Sequence, residues 1–354
     1  MQRLFAGRSP LGLLAGIAVL VLPSPDVAAK EGEDVKFDTV DKVELRGTFY
    51  TGNKNKPTVL LVHKLGGKRD QDGWRKLAEA LSDKGYAVLR FDFRGHGDST
   101  TVAPAFWMNP VNRQLIRGAR AARVTIAYRD FMPSYKPWLV NDLAAAKRYL
   151  DEQNNAGACN SSDLIVVGAE DGAALAALWI ASEWLRRPVE KNAFGTWVAK
   201  PDAKPEGSDI AAGIWLSAPR SWGGVPVGSK WLSIPADERK PLFVKSPMLF
   251  LYGRKDVKGA ASAKDLLASL KRKGAEARLT TFPKLTNTKG VNGNGVGADL
   301  LGKKAVGADD FIKEYIGSVM DGRANTVWRK RSETDAPEIA VDRRVLNNLG
   351  IRLP

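Results

Sequence analysis

Only one cysteine and two histidines occur among the 354 residues of this chain. The lone Cys159 excludes an intramolecular disulfide even in an oxidising compartment. It lies between Ala156-Gly157-Ala158 and Asn160-Ser161-Ser162, a loop composition with no histidine nearby to activate a thiol. His63 and His96 are too few for a zinc-type His/Cys cluster, so no metal site is expected. Internal repeats, a phosphate-binding Gly-x-x-x-x-Gly-Lys-Ser motif and a dinucleotide fingerprint are also missing, and no cofactor is expected. Long apolar runs are absent too. Leu11–Leu22 falls well short of the ~20 residues that a membrane-spanning helix needs.

Acidic residues are in short supply, with 39 Asp and Glu against 54 Lys and Arg, giving a formal net charge of +15. Such a balance favours acidic surfaces, anionic polysaccharide or lipid headgroups. The basic residues are spread along the chain, apart from short clusters such as Arg329-Lys330-Arg331, and no basic stripe alternates with aromatics. A nucleic-acid groove is therefore not expected. Hydrophobic content of 44% and charged content of 26% are those of a globular protein.

The first residues read as a secretory leader. Arg3 and Arg8 precede the apolar run, Pro23 breaks it, and Val27-Ala28-Ala29 offers a cut after Ala29. No cysteine stands there to take a lipid, so a secreted or periplasmic mature chain without a transmembrane segment is expected. From Lys30 on, short β-branched apolar runs alternate with helical spacing. Strands are expected at Val43–Tyr50, Thr58–Val62, Tyr86–Phe93, Leu164–Val167, Ile210–Leu216, Pro247–Tyr252 and Ala277–Phe282. Helices are expected at Trp74–Lys84, Val140–Leu150, Ala173–Leu185, Ala263–Lys273 and Asp309–Met320. This alternation argues an α/β fold, a mainly parallel central sheet with helices on both faces, over residues 30–322. Thr100–Pro137, rich in Arg, Pro and aromatics, interrupts the rhythm at the length of a lid or insertion, and Trp222–Lys245 is a smaller interruption. Residues 323–354 read as a polar C-terminal appendage without a core of its own.

Three patterns between Val43 and Met320 resemble the α/β-hydrolase superfamily, in its dienelactone-hydrolase-like and small-esterase branch. Val59-Leu60-Leu61-Val62-His63 followed by Gly66-Gly67 is similar to the strand-end oxyanion loop. Val88 to Ser99, ending Arg94-Gly95-His96-Gly97-Asp98-Ser99, is similar to the next strand and its turn. Leu164 to Gly172 resembles the strand and nucleophile elbow. Steric crowding at such an elbow leaves room only for Gly or Ala around its tip, which Gly168, Gly172, Ala173 and Ala174 satisfy.

The resemblance places Glu170 at the tip, where a serine hydrolase needs its nucleophile, and Asp256 of Tyr252-Gly253-Arg254-Lys255-Asp256 at the acid. The histidine belongs to the loop after the last strand, read as Lys284–Gly297. That loop holds none, and Lys289-Gly290 is the nearest match to the usual His-Gly place. His63 and His96 match structural positions of the family. Lys64 and Leu65 alter the oxyanion loop, and Asp171, one place past the tip, points elsewhere. Lys64, Leu65, Asp171 and Lys289 are the candidate binding residues, with Glu170 expected to pair with Lys64 or Lys289. The resemblance thus implies the fold with an incomplete triad. Three functions follow: a protein that binds a small or ester-like ligand or a partner in the old cleft; an atypical esterase-like hydrolase using Glu170 as nucleophile or general base; or a basic protein that binds an anionic envelope polymer.

Overall fold

The computed structural model describes residues 31–120, 123–200, 202–236, 240–276, 285–323, 328–331 and 341–352. The leader and the strand expected at Ala277–Phe282 lie outside them. The first half of the chain forms β1 (Glu33–Asp38), β2 (Glu44–Tyr50), β3 (Thr58–Val62), α1 (Asp72–Ser82), β4 (Ala87–Phe91), α2 (Pro110–Leu115), α3 (Val140–Asn155), β5 (Leu164–Ala169) and α4 (Glu170–Leu185). A hairpin of β6 (Val189–Lys191) and β7 (Trp197–Ala199) follows, then β8 (Ile210–Leu216) and a ribbon of β9 (Ser221–Trp222) and β10 (Val225–Pro226). The rest is α5 (Leu242–Lys245), β11 (Met248–Gly253), α6 (Val257–Glu276), β12 (Asn287–Val291), α7 (Ala308–Asp321) and α8 (Arg343–Asn348).

Among the described residues, eight strands join in one sheet, ordered β1-β2-β4-β3-β5-β8-β11-β12. β1 and β2 run antiparallel at one edge, and the remaining pairs from β4 to β12 are parallel. β3, β5 and β8 are buried along their whole length, as continuous apolar runs in a sheet covered on both faces should be. Period-two alternation splits each strand between two cores. Leu60, Val62 and Val166 pack with α3, α4 and α6 on one face, while Val59, Leu61 and Val167 pack with α1 and α7 on the other. α4 is enclosed on every side, with each residue from Gly172 to Trp184 buried, which explains its lack of a polar face.

The last strand corrects the sequence reading. Asn287–Val291, expected as loop, pairs in parallel with β11, so the loop that follows the sheet starts only at Asn292. Only Val291 is buried, and this edge strand lacks the apolar pattern that marks the others.

The Thr100–Pro137 insertion is fixed to the domain by a buried ionic knot. Arg94 donates from Nε to Asp142 at 2.6 Å and from its two Nη atoms to Asp41 at 2.7 and 2.9 Å. Its Nη1 also donates to the Tyr135 hydroxyl at 3.0 Å, which in turn donates to Asn112 at 2.9 Å. The knot ties the β4 turn, α3, α2 and the β1–β2 loop together. Burial alone would raise the Asp41 carboxyl, but the adjacent guanidinium holds it below the ordinary range.

Two buried histidines brace the loops after β3 and β4. His63 donates from Nδ1 to Lys64 O at 2.7 Å, and its Nε2 accepts from Phe93 N–H at 3.3 Å. His96 donates from Nδ1 to Arg94 O at 2.9 Å and accepts at Nε2 from Gly66 N–H at 2.8 Å. An Nε2 that accepts is unprotonated, so both rings are neutral. Burial pushes each imidazole down to about 4. Cys159 is equally inert: it is buried, and desolvation pushes its thiol up to about 12.

The C-terminal segment is no loose appendage. Val341, Leu346, Leu349 and Ile351 are buried in the core that contains α4, and Trp231 Nε1 donates to Leu349 O at 2.8 Å. Arg331 clamps the segment to Asp151, Ser161 and Asp209. Leu346→Ala should therefore cost about 2–5 kcal/mol, as a core truncation does. The exposed neighbour change Arg344→Ala should stay within ~0.5 kcal/mol. Equal thermal midpoints for the two variants would contradict the placement of this segment in the core.

The histidines make a second prediction. Unfolded imidazoles titrate near 6.5, so between roughly pH 6.5 and 4 the unfolded chain binds more protons than the folded one. Stability is then full above that window and falls with acidity, by up to ~1.4 kcal/mol per pH unit for each histidine. Urea unfolding at pH 7, 6 and 5 reads this slope, and His96→Asn should make it shallower. A flat profile would mean the rings are not held neutral.

Candidate functional site

Parallel strands all point their C-terminal ends to one side, and the sheet register sets what meets there. Val62 lies opposite Gly168, Ala169 opposite Leu216, and Gly253 opposite Val291. The segments beginning at His63, Glu170, Ser217, Arg254 and Asn292 therefore share one rim of the sheet.

The elbow is formed as the sequence predicts. β5 passes into α4 without a connecting loop, and Glu170 takes a left-handed backbone with φ of 51°. That conformation costs an L-residue with a side chain on the order of 1–2 kcal/mol. The flanking glycines are steric requirements. A Cβ on Gly172 would stand 2.1 Å from the His63 carbonyl oxygen, and one on Gly168 would stand 2.8 Å from the Ala173 Cα.

Each position of the catalytic pattern carries a different interaction. The Glu170 carboxylate is 30% exposed and meets Lys64 Nζ at 3.1 Å. The Lys64 side chain is 45% exposed, so the pair contributes little stability. The Leu65 backbone N–H, in the loop that lends an oxyanion donor in this architecture, donates instead to Asp171 Oδ1 at 2.9 Å. Asp171 thus turns back and covers the donor. Burial raises its carboxyl, as does the adjacent Glu170 charge, while the Leu65 N–H and Lys136 pull it down.

Asp256 is buried and caps α6, with Oδ1 accepting from Gly259 N–H at 2.8 Å. Its Oδ2 is buried without a hydrogen-bond partner among the described residues. The orienting acid of a triad would hold its base at such an oxygen.

Lys289 is the correction at the site. It lies within β12 opposite Leu251, is exposed, and holds its ammonium 4.4 Å from the Phe311 ring centroid. Its register belongs to the strand, so it stands neither in the base position nor beside Glu170. The residue that faces the elbow from the post-β12 loop is Gly297. A Cβ there would lie 2.7 Å from Glu170 Oε1.

Sequence reasoning missed Gly297, and it also missed Ser217, Tyr128 and Lys136. Ser217 has a left-handed backbone with φ of 53°, and its hydroxyl accepts from Gly297 N–H at 2.9 Å, which holds that loop against the elbow. Tyr128 from the insertion packs at a tilt of 38° against His96 with centroids 4.4 Å apart, and Lys136 lies over the Tyr128 ring at 5.3 Å. No local pattern marks these residues, because only tertiary contacts bring them to the rim.

Two clefts open elsewhere. One, of about 550 Å³, lies among Asp34, Arg46, Arg69 and Asp98 at the β1–β2 edge. The other, of about 330 Å³, lies among Arg220, Asp265 and Arg272. Neither is lined by Glu170, Lys64 or Asp171.

Residues 57–132 match the family described as alpha/beta hydrolase fold. No curated protein sequence matches the chain. Among solved structures, the esterase Pf2001 of Pyrococcus furiosus is similar at 16% identity, covering 84% of this chain and 92% of that one with a TM-score of 0.46. The dienelactone hydrolase of Anabaena variabilis ATCC 29413 is similar at 16% identity, over 85% and 100% of the two chains, with a TM-score of 0.46. Est1E from Butyrivibrio proteoclasticus is similar at 12% identity, over 83% and 99%, with a TM-score of 0.44. The strand order, the left-handed elbow between β5 and α4, and the matched segment agree, and this chain is a protein of the α/β-hydrolase fold.

Proposed function

We propose that this chain is an exported, non-catalytic α/β-hydrolase-fold protein that binds a small ligand or a partner at the rim around Glu170. One observation carries the reading: the elbow tip bears a carboxylate paired with Lys64 where the fold's serine enzymes carry a hydroxyl, and glycine stands opposite it. Covering of the Leu65 N–H by Asp171 supports it, since that donor is engaged before any oxyanion arrives. Export rests on the basic and apolar leader before Ala29.

A second reading is an atypical hydrolase with Glu170 as nucleophile or general base. The strained backbone and partial exposure of Glu170 favour it, because strain of this kind gathers at working sites. Turnover of short-chain and medium-chain nitrophenyl esters by the mature chain from Lys30, beside Glu170→Gln and Glu170→Ser, separates the two. The binding reading expects no turnover above buffer in any of the three. A serine without its base should sit on the order of 10⁶-fold below an intact triad. Turnover that disappears in Glu170→Gln would establish the second reading, and appreciable turnover by Glu170→Ser would sink the first.

A further inference from the structure

The segment between β4 and α3 carries a charge distribution that the elbow does not explain. From Thr101 to Lys136 it holds Arg113, Arg117, Arg120, Arg123, Arg129 and Lys136 against a single acidic residue, Asp130. Asp130 is taken by Arg123, and Lys136 sits over Tyr128. Arg113, Arg117, Arg120 and Arg129 are exposed, and among the described residues none of them has a carboxylate at ion-pair distance.

Backbone geometry gathers these four. Ile116 bridges Phe131 in antiparallel fashion and Arg117 N–H donates to Asp130 O at 2.8 Å, so the Arg117 and Arg129 stretches run side by side. Arg123 reaches across this bridge, donating to Arg117 O at 3.2 Å and to the Asp130 carboxylate. Its own N–H donates to Arg120 O at 2.9 Å, which brings the Arg120 backbone against the Arg123 stretch. Arg113 sits four residues before Arg117, near the end of α2.

Two apolar side chains stand exposed beside these cations. Met108 is 79% exposed and Val124 is 60% exposed. Trp107 is buried and donates from Nε1 to Arg123 O at 2.6 Å, tying the Met108 turn to the Arg123–Val124 stretch. Single exposed apolar residues need no explanation, but a pair set among uncompensated guanidinium groups matches a particular surface. Phosphate headgroups accept charge-assisted hydrogen bonds from arginine, and the apolar layer below them takes Met and Val. A soluble polyanion would use the arginines alone, and single-stranded nucleic acid would ask for exposed aromatic platforms.

We propose that the insertion between β4 and α3 docks this protein on anionic phospholipid membranes through Arg113, Arg117, Arg120 and Arg129, with Met108 and Val124 entering the interface. The proposal is independent of whether Glu170 does chemistry. The same segment also supplies Lys136 and Tyr128 to the rim.

Cosedimentation of the mature chain with extruded vesicles tests it, using phosphatidylcholine alone or with one third phosphatidylglycerol. Binding should require phosphatidylglycerol and fall as salt rises. Each Arg→Gln change at the four positions should lower the partition coefficient about fivefold, and all four together more than ~100-fold. Removing the same charge elsewhere, at Lys258, Lys264, Arg272 and Lys304, should leave most of the binding. Met108→Ser with Val124→Ser should weaken binding at every salt concentration without changing its salt slope, and circular dichroism checks that each variant is folded. Absence of binding to the anionic vesicles, or equal loss in the control variant, would overturn the proposal. So would an unaffected serine pair with inorganic polyphosphate competing fully, since the ligand would then be a soluble polyanion.

Discussion

The turn from β5 into α4 is held by packing that leaves no freedom to move. Gly172 lies against the His63 carbonyl, Gly168 lies against Ala173, and α4 is enclosed along nearly its whole length, so neither the strand nor the helix can retreat. Whatever residue occupies the tip is lifted into a left-handed conformation at the rim of the sheet. The geometry of the elbow is therefore independent of the chemistry of its tip. A carboxylate at position 170 is lifted to the rim by the backbone and not by its own chemistry.

The polar groups around that tip answer to one another. Lys64 meets Glu170, Asp171 meets the Leu65 N–H, and Ser217 meets the Gly297 N–H. The exception is Asp256, whose Oδ1 caps α6 while Oδ2 stays buried and, among the described residues, unpartnered. Leaving a buried acceptor unmet is unfavourable, and the cap explains why the residue is kept in place. These contacts differ in kind from the Arg94 knot below them. That knot is largely buried and holds the insertion to the domain, whereas Lys64 and Glu170 remain accessible to solvent.

The central strands were legible because they are apolar on both faces, and the elbow because its steric demands select glycine and alanine in fixed positions. β12 was not legible. Its Asn287-Thr288-Lys289-Gly290 reads as loop, and an edge strand with one buried residue has no periodicity to reveal it. That single misplacement carried Lys289 from the flank of α7 into the supposed site. Gly297 opposite Glu170 and Ser217 behind it have no local signature, since the contact depends on register between β11 and β12. In the C-terminal segment, Val341, Leu346, Leu349 and Ile351 are scattered among Asp342, Arg343, Arg344 and Arg352. Composition there reports the exposed face and hides the buried one.

The placement of that last segment makes it a plug and not a tail. Val341, Leu346, Leu349 and Ile351 fill the core beside α4, a helix with no polar face to turn to water. Shortening the chain before Val341 would therefore bare apolar surface on the helix that carries the elbow, and solubility would suffer together with stability.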